Sequence, residues 1–162
     1  MDLISLSFLV TGRDASGAPT AGANMLYLRG DQLVNPAAGA APTAATVATK
    51  QTTYRSGATL TVSVAVSHTG PARPVDAYLG VQPADGRSTL YFTGGGFVPT
   101  PTPIARAYPL AGGAALGPLP VFSVTLPGSI PAGTYTWVFT LTDPGNPAAA
   151  VASGSAPVTF QP

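Results

Sequence analysis

The sequence contains no cysteine and no glutamate, and it has only one lysine and one histidine. Without cysteine the chain can form no disulfide, iron–sulfur cluster or thiolate nucleophile, so its stability must come from packing. Charged residues make up 8% of the 162 residues, and the formal net charge is +1. The arginines lie singly along the chain, whereas a surface for nucleic acid needs clustered cations. We therefore expect no nucleic-acid partner.

Residues that carry catalysis or bind metals are equally scarce. His68 is the only histidine, and Ser63 or Ser67 together with Asp76 could complete a hydrolytic triad with it. No nucleophile-elbow pattern supports that triad, and we expect His68 to be a solvated residue at the end of a strand. The aspartates include no Asp-x-Asp run for calcium and no evident pair for glycoside hydrolysis. The sequence thus predicts no enzyme activity, no cofactor and no metal site.

The chain does have a hydrophobic fraction of 45%, together with 19 glycines and 18 prolines. That hydrophobic content favours a packed chain over a disordered one. The surface must then consist mainly of Thr, Ser, Ala and Gly, and such weak charge repulsion suits an extracellular, cell-surface or assembled protein. The sequence has no run of about 20 apolar residues, so we expect no membrane span. Residues 1–10 also lack the positively charged start of a signal peptide.

Apolar and polar residues alternate with a period of two in two long segments, which predicts half-buried strands over residues 133–142 and 59–67. The apolar positions are Tyr135, Trp137, Phe139 and Leu141 in the first segment and Leu60, Val62, Val64 and Val66 in the second. Turn residues separate these segments from further short strands, the last of them over residues 150–160 with a bulge at Gly154. The predicted fold class is therefore an all-β, antiparallel β-sandwich.

Changes in composition divide the chain into three predicted parts. Residues 1–34 form an N-terminal strand or hairpin extension, and residues 35–50 form an Ala/Pro/Thr-rich linker. Residues 51–162 form the sandwich domain. Within it, Gly94-Gly95-Gly96 and the following prolines up to Pro109 predict a long exposed crossover, because proline withholds a backbone donor from a sheet.

The segment Gly133-Thr134-Tyr135-Thr136-Trp137 resembles the start of strand F in immunoglobulin-like domains. In that family a tyrosine here forms a tyrosine corner, with its hydroxyl bonded back to the backbone, and Trp137 stands where antibody domains have their second cysteine. A buried tryptophan would then fill the space of the missing disulfide. With Ala77-Tyr78-Leu79-Gly80-Val81 and Thr89-Leu90-Tyr91-Phe92, residues 51–162 are similar to Ig-like modules of secreted bacterial proteins. The resemblance implies a non-catalytic spacer, adhesive module or surface-assembly part.

The N-terminal segment offers a candidate for assembly. Its apolar face consists of Ile4, Leu6, Phe8 and Val10. An apolar strand outside the sandwich could add to the edge of a neighbouring subunit and so build a filament. The alternative is that residues 3–10 pair within their own chain. We expect a structural protein of the cell exterior whose partner is a second copy of itself.

Three aromatic residues around the proline-rich segment form a second candidate site. They are Tyr91, Phe97 and Tyr108. Their rings could belong to the core, to a protein interface, or to a platform on which a surface glycan stacks. The last possibility gives the alternative function, a carbohydrate-binding or adhesive accessory module of a secreted protein.

Overall fold

The computed structural model describes residues 42–83, 85 and 88–161, and the backbone of the strands at 5–7, 10–13, 19–22, 25–29 and 32–34. The chain divides into two compact units, Met1–Ala41 and Pro42–Pro162. Every regular element in the described ranges is a β-strand, which confirms the predicted all-β class. Those ranges contain no helix that is long and apolar enough to cross a membrane.

The described strands of the first unit are β1 (Ser5–Ser7), β2 (Val10–Arg13), β3 (Pro19–Gly22), β4 (Met25–Arg29) and β5 (Gln32–Val34). They pair antiparallel as a three-stranded sheet in the order β1-β4-β5 and as a two-stranded ribbon, β2-β3. Leu6 lies opposite Leu26, and Val10 lies opposite Gly22. The predicted single strand over residues 3–10 is therefore wrong, because β1 and β2 belong to different sheets. The described parts of this segment pair within their own chain, which is the alternative stated above. Ile4 and Phe8 lie outside the described residues.

We call the second unit the sandwich. Its strands are β6 (Thr43–Thr49), β7 (Thr53–Arg55), β8 (Thr59–His68), β9 (Arg73–Gln82), β10 (Leu90–Thr93), β11 (Gly96–Val98), β12 (Ala105–Leu110), β13 (Ala115–Thr125), β14 (Gly133–Asp143) and β15 (Asn146–Gln161). One sheet has seven strands in the order β11-β10-β9-β14-β15-β7, with β12 paired to β9, and the other has the order β13-β8-β6. The pairing is antiparallel except between β15 and β7. This arrangement confirms the predicted antiparallel β-sandwich.

The two strongest alternations in the sequence supply the centres of the two sheets. From β8, Leu60, Val62 and Val64 are buried, and from β14, Trp137, Phe139 and Leu141 are buried. The alternate residues of both strands are more exposed over most of their length, as a period of two requires. These facing rows form the core between the sheets.

The tyrosine corner predicted at Tyr135 is present. Its hydroxyl donates a hydrogen bond of 3.1 Å to the carbonyl oxygen of Pro131, four residues earlier. The Tyr135 ring also packs against Phe160, with ring centroids 4.8 Å apart. The bond fixes the path of the chain as it enters β14, and it places Trp137 in the core two residues later.

The segment predicted as a linker over residues 35–50 contains a core strand instead. In β6, Thr43, Ala45 and Val47 are buried and the residues between them are exposed. The whole strand pairs with β8. Alanine and threonine are small enough to let β6 lie close to the opposite sheet, and this tertiary fit outweighs the weak strand preference of alanine.

The proline-rich region is also more regular than the predicted crossover. It contains β11 and β12, and β13 begins at Ala115 in front of Pro118 and Pro120. Both β12 and β13 lie at the margins of their sheets, where a proline nitrogen can face away from the ladder. Proline therefore excluded a central strand here but not an edge strand.

Gly154 has a different role from the predicted bulge. The register of β15 against β14 shifts at two other places, between Ala152 and Ala150 and between Ala150 and Asn146. At Gly154 the backbone of β15 instead passes close to β6, and an added Cβ would lie 2.6 Å from the Ala45 carbonyl oxygen. The two sheets thus meet backbone to backbone on this side of the sandwich.

Candidate functional site

The three predicted aromatic site residues do not form one platform. Tyr91 lies on the outer face of the seven-stranded sheet, where its ring meets Tyr78 edge-on with centroids 6.2 Å apart. Phe97 lies opposite Phe92 in the pairing of β10 with β11, and its ring turns towards the core. Tyr108 lies on β12 and is 43% exposed. Three separate environments therefore replace the single site expected from the sequence.

Phe97 belongs to an aromatic cluster that closes one end of the core. The cluster consists of Phe92, Phe97, Phe122 and Trp137. The Phe122 and Trp137 rings are 5.0 Å apart, and the Phe97 and Trp137 rings are 6.1 Å apart. Phe97 remains 41% exposed at the rim of the cluster. Packing in the core, one of the three possibilities given above, thus accounts for this residue.

The buried Trp137 side chain has one unusual feature. Its indole Nε1 is the one buried side-chain polar atom in the described residues with no hydrogen-bond partner. The residue is 3% exposed, so the donor is shielded from bulk solvent. The indole therefore serves the core through its size and ring contacts rather than through a hydrogen bond.

An outer-face pocket of about 230 Å³ lies on the surface of the seven-stranded sheet. Its lining comprises Tyr78, Gly80, Gln82, Thr89, Tyr91, Val138, Thr140, Thr142 and Pro147. Most of these residues come from outward-facing positions of β9, β10 and β14, whereas Thr89 precedes β10 and Pro147 belongs to β15. The pocket combines aromatic rings with hydroxyl and amide groups, the side chains with which proteins usually bind uncharged polar molecules.

Sequence reasoning found Tyr91 but missed the rest of this pocket. The available signal was the alternation in β9, where Tyr78, Gly80 and Gln82 share one face. Gly80 at the floor leaves room for Thr89, whose Cγ2 would lie 2.7 Å from an added Cβ. The glycine therefore permits the close approach of the chain segment before β10.

An inter-sheet cleft of about 170 Å³ forms a second concave site. Its lining comprises Val64, Val66, Val75, Ala77, Ile104, Ala105, Tyr108, Leu110, Leu116, Leu119, Val121, Phe139 and Leu141. The residues come from both sheets, and the lining contains no charged side chain. The cleft is therefore lined by apolar side chains, whereas the outer-face pocket also carries hydroxyl and amide groups.

His68 is buried and not solvated as predicted. Its side chain is 2% exposed, with Nδ1 2.8 Å from Thr43 Oγ1 and Nε2 2.7 Å from the carbonyl oxygen of Pro71. Because a carbonyl oxygen only accepts, Nε2 carries a proton and donates it to Pro71. The imidazole therefore joins β6 to the end of β8 and to the turn that follows. Neither partner is a serine or a carboxylate, so these contacts build no hydrolytic triad.

Asp76 is a buried carboxylate held by two backbone N–H groups. It is 2% exposed, and it accepts backbone N–H bonds from Ala107 at 2.7 Å and from Gly145 at 2.9 Å. Ala107 has a positive φ of 46°, which is rare for a residue with a side chain. Asp76 thus fixes both the irregular part of β12 and the turn between β14 and β15.

The Gly145 and Ala107 bonds lower the pKa of the Asp76 carboxyl below its ordinary value of 3.8, with a smaller contribution from nearby Arg106. Burial opposes the shift but does not cancel it.

No three His, Cys, Asp or Glu side chains of residues 42–83, 85 and 88–161 come together as a metal site. Asp76 acts as a structural carboxylate, because each of its two oxygens accepts a hydrogen bond from a backbone N–H group.

We predict that acid unfolding of the chain depends on Asp76. Its folded pKa is lowered, so its contribution to stability is complete above the unfolded pKa of about 3.9 and is lost as pH falls towards the folded value. Asp76→Asn should lower stability at pH 7 and flatten the dependence of stability on pH below about 4. Urea unfolding between about pH 2 and 7 measures both effects. Asp143→Asn, at the partly exposed ion pair with Arg73, is the charge-matched control. Equal pH profiles for the two variants would contradict the prediction.

Comparison with known proteins identifies no family for the chain. No family model matches the chain, and no curated protein matches it. Among solved structures, the Bacillus subtilis sporulation control protein Spo0M aligns with this chain at a TM-score of 0.41 and 15% sequence identity. The alignment covers 75% of this chain and 50% of the Spo0M chain. A Niemann-Pick type C2 protein from Japanese carpenter ant aligns with a TM-score of 0.43 and 11% identity, over 76% of this chain and 96% of that protein. Both TM-scores are below 0.5, and the β-sandwich assignment rests on the strand pairing described above.

Proposed function

We propose that the chain is a non-catalytic structural protein of the cell exterior that assembles with copies of itself by strand addition. The observation that carries the proposal is the strand arrangement of the first unit. Its described strands are only three to five residues long, and β1 and β5 form the two edges of a three-stranded sheet. Such small sheets are marginal alone, and unpaired edges are templates for a further strand.

The surface composition agrees with an assembled state outside the cell. The chain has a net charge of +1 and 8% charged residues, so like-charge repulsion between copies is weak. Residues of the sandwich that could drive chemistry are instead engaged in its structure, since His68 and Asp76 both hold backbone segments together. An Ig-like identity of the sandwich, with β14 as strand F, fits the same role. It rests on the tyrosine corner and on Trp137.

Assembly is tested by placing a charge on the edge strand β1 in the full chain. Leu6→Asp replaces its one apolar residue, and Ser7→Asp puts the same charge on a neighbouring polar position. We expect wild type and the Ser7 variant to form oligomers or fibres in light scattering and electron microscopy, and the Leu6 variant to remain monomeric. A wild-type chain that stays monomeric at high concentration would refute self-assembly.

A second candidate function, carbohydrate binding, is favoured by the outer-face pocket. Sugars present apolar ring faces and hydroxyl groups, and the pocket offers Tyr78 and Tyr91 beside Gln82, Thr89 and Thr140. In this proposal Tyr91 contacts the glycan, whereas Phe97 and Tyr108 do not.

The glycan proposal is tested with a glycan array and two matched aromatic variants. We expect Tyr91→Ala to abolish binding and Phe97→Ala, on the opposite side of β10 and β11, to retain it. Loss of binding with Phe97→Ala alone would move the site to the aromatic cluster and contradict this assignment. An array on which the wild-type chain binds nothing would remove the candidate.

A further inference from the structure

The sandwich is closed along one side and open along the other. On the closed side, Gly154 of β15 lies against the backbone of β6. On the open side, β12 and β13 are edge strands of different sheets, and none of the described strands pairs with both of them. The inter-sheet cleft opens between these two strands. Its position therefore follows from the topology and not from a local irregularity.

The cleft is apolar from its base to its rim. Val75, Leu110, Phe139 and Leu141 at its base are at most 3% exposed. At the rim, Leu119 is 52% exposed and Tyr108 is 43% exposed. These are two of the three exposed large hydrophobic residues in the described part of the chain. Water gains few hydrogen bonds here, so filling the cleft with apolar atoms is favourable.

The backbone at the opening argues against a peptide strand as the occupant. Pro109 lies in β12, and Pro118 and Pro120 lie in β13. Proline has no N–H, and in edge strands its nitrogen faces away from the ladder, so the rim lacks donors that an added strand would need. An occupant held by apolar contacts alone needs no backbone donors, so these prolines do not weaken its binding.

We propose that the inter-sheet cleft binds a small uncharged hydrocarbon molecule, of the size of a substituted benzene ring. An apolar protein cavity of about 150 Å³ stays dry and binds benzene or xenon, and the cleft has a volume of about 170 Å³. The absence of any charged side chain in the lining excludes a charge partner for an ionic ligand. This site is independent of the outer-face pocket and of self-assembly through the first unit.

The proposal is tested with toluene as the probe and the full chain as the receptor. Methyl NMR should show saturable shifts confined to cleft residues such as Val64, Val66 and Leu116. Ala105→Leu fills the cleft, and Leu119→Asp puts a charge on its exposed rim, where folding tolerates the change. Each should weaken toluene binding by about tenfold or more. Thr59→Asp, at an exposed position of β8 outside the cleft lining, is the charge control and should bind as wild type does.

Two further measurements separate other occupants of the cleft. Methyl shifts that spread over the surface, that persist in Ala105→Leu, or that stay absent up to saturating toluene would overturn the proposal. If the same methyl groups shift when the protein concentration is raised without toluene, the rim binds a second copy of the chain, and the toluene proposal is overturned as well. Sedimentation with phosphatidylcholine vesicles, lost in Leu119→Asp and without saturable toluene binding, would assign the rim to a membrane instead.

Discussion

Trp137→Ala is expected to lower the free energy of unfolding by about 3–5 kcal/mol, the usual loss when a large aromatic side chain is removed from a core. Trp137 is 3% exposed and contacts the rings of Phe97 and Phe122. Its loss leaves a cavity between the sheets at a place where no disulfide holds them together. Because a domain of this size has only about 5–15 kcal/mol of stability, the change removes a large fraction of it.

Urea unfolding followed by circular dichroism measures this loss without relying on tryptophan fluorescence. Thr134→Ala, at an exposed position of the same strand, is the matched control and should change stability by less than about 0.5 kcal/mol. Trp137→Phe should cost less than Trp137→Ala, because phenylalanine leaves a smaller cavity and Nε1 has no hydrogen bond to lose. A cost below about 1 kcal/mol for Trp137→Ala would contradict its role as the filler of the core.

Gly154→Ala is expected to destabilise the sandwich by about 1–3 kcal/mol, although it adds a single methyl group. That methyl would lie 2.6 Å from the Ala45 carbonyl oxygen and 2.8 Å from Thr46 Cα. Both atoms belong to the backbone, so relief requires β6 or β15 to move as a whole. The closed side of the sandwich would have to open slightly, and the contacts around β6 would weaken.

Gly94→Ala is the matched control for this prediction, because an added Cβ at Gly94 meets nothing within 4 Å and no unusual φ is required there. Thermal unfolding followed by circular dichroism compares the two variants. We expect a lower midpoint for Gly154→Ala and a midpoint close to that of wild type for Gly94→Ala. Equal midpoints would mean that β6 and β15 are not in close contact.

The central strands could be read from the sequence because their signal is local. In β8 and β14, large apolar residues alternate with threonine or serine, and turn residues stop the pattern at both ends. The same local reasoning located the tyrosine corner, whose hydrogen bond spans only four residues. A strand that carries large residues on one face specifies both its conformation and its buried side.

Strand β6 escaped prediction because its residues are small. In Thr43-Ala44-Ala45-Thr46-Val47, the buried and exposed positions are occupied by nearly the same residue types. A hydrophobic period cannot be read when alanine stands on both faces. Only the pairing with β8 and the contact with Gly154 make β6 a core strand.

The candidate sites depended even more on contacts between distant parts of the chain. His68 is followed by turn residues and reads as solvated, yet Thr43, 25 residues earlier, covers its Nδ1. The three aromatic residues close to one another in sequence face different sides of the sheets, because Tyr91 and Phe97 take opposite faces of the β10–β11 pair. Nearness along the chain therefore did not imply a shared site.

The all-β class, the buried faces of β8 and β14, the corner at Tyr135 and the absence of cysteine chemistry could all be predicted from the sequence. The closure of one side of the sandwich at Gly154, and the apolar cleft between β12 and β13 on the other side, are seen only in the folded chain. The physical reason is the range of the interactions. Alternation and turns act between near neighbours, whereas the closure of a sandwich depends on which distant strands have side chains small enough to meet.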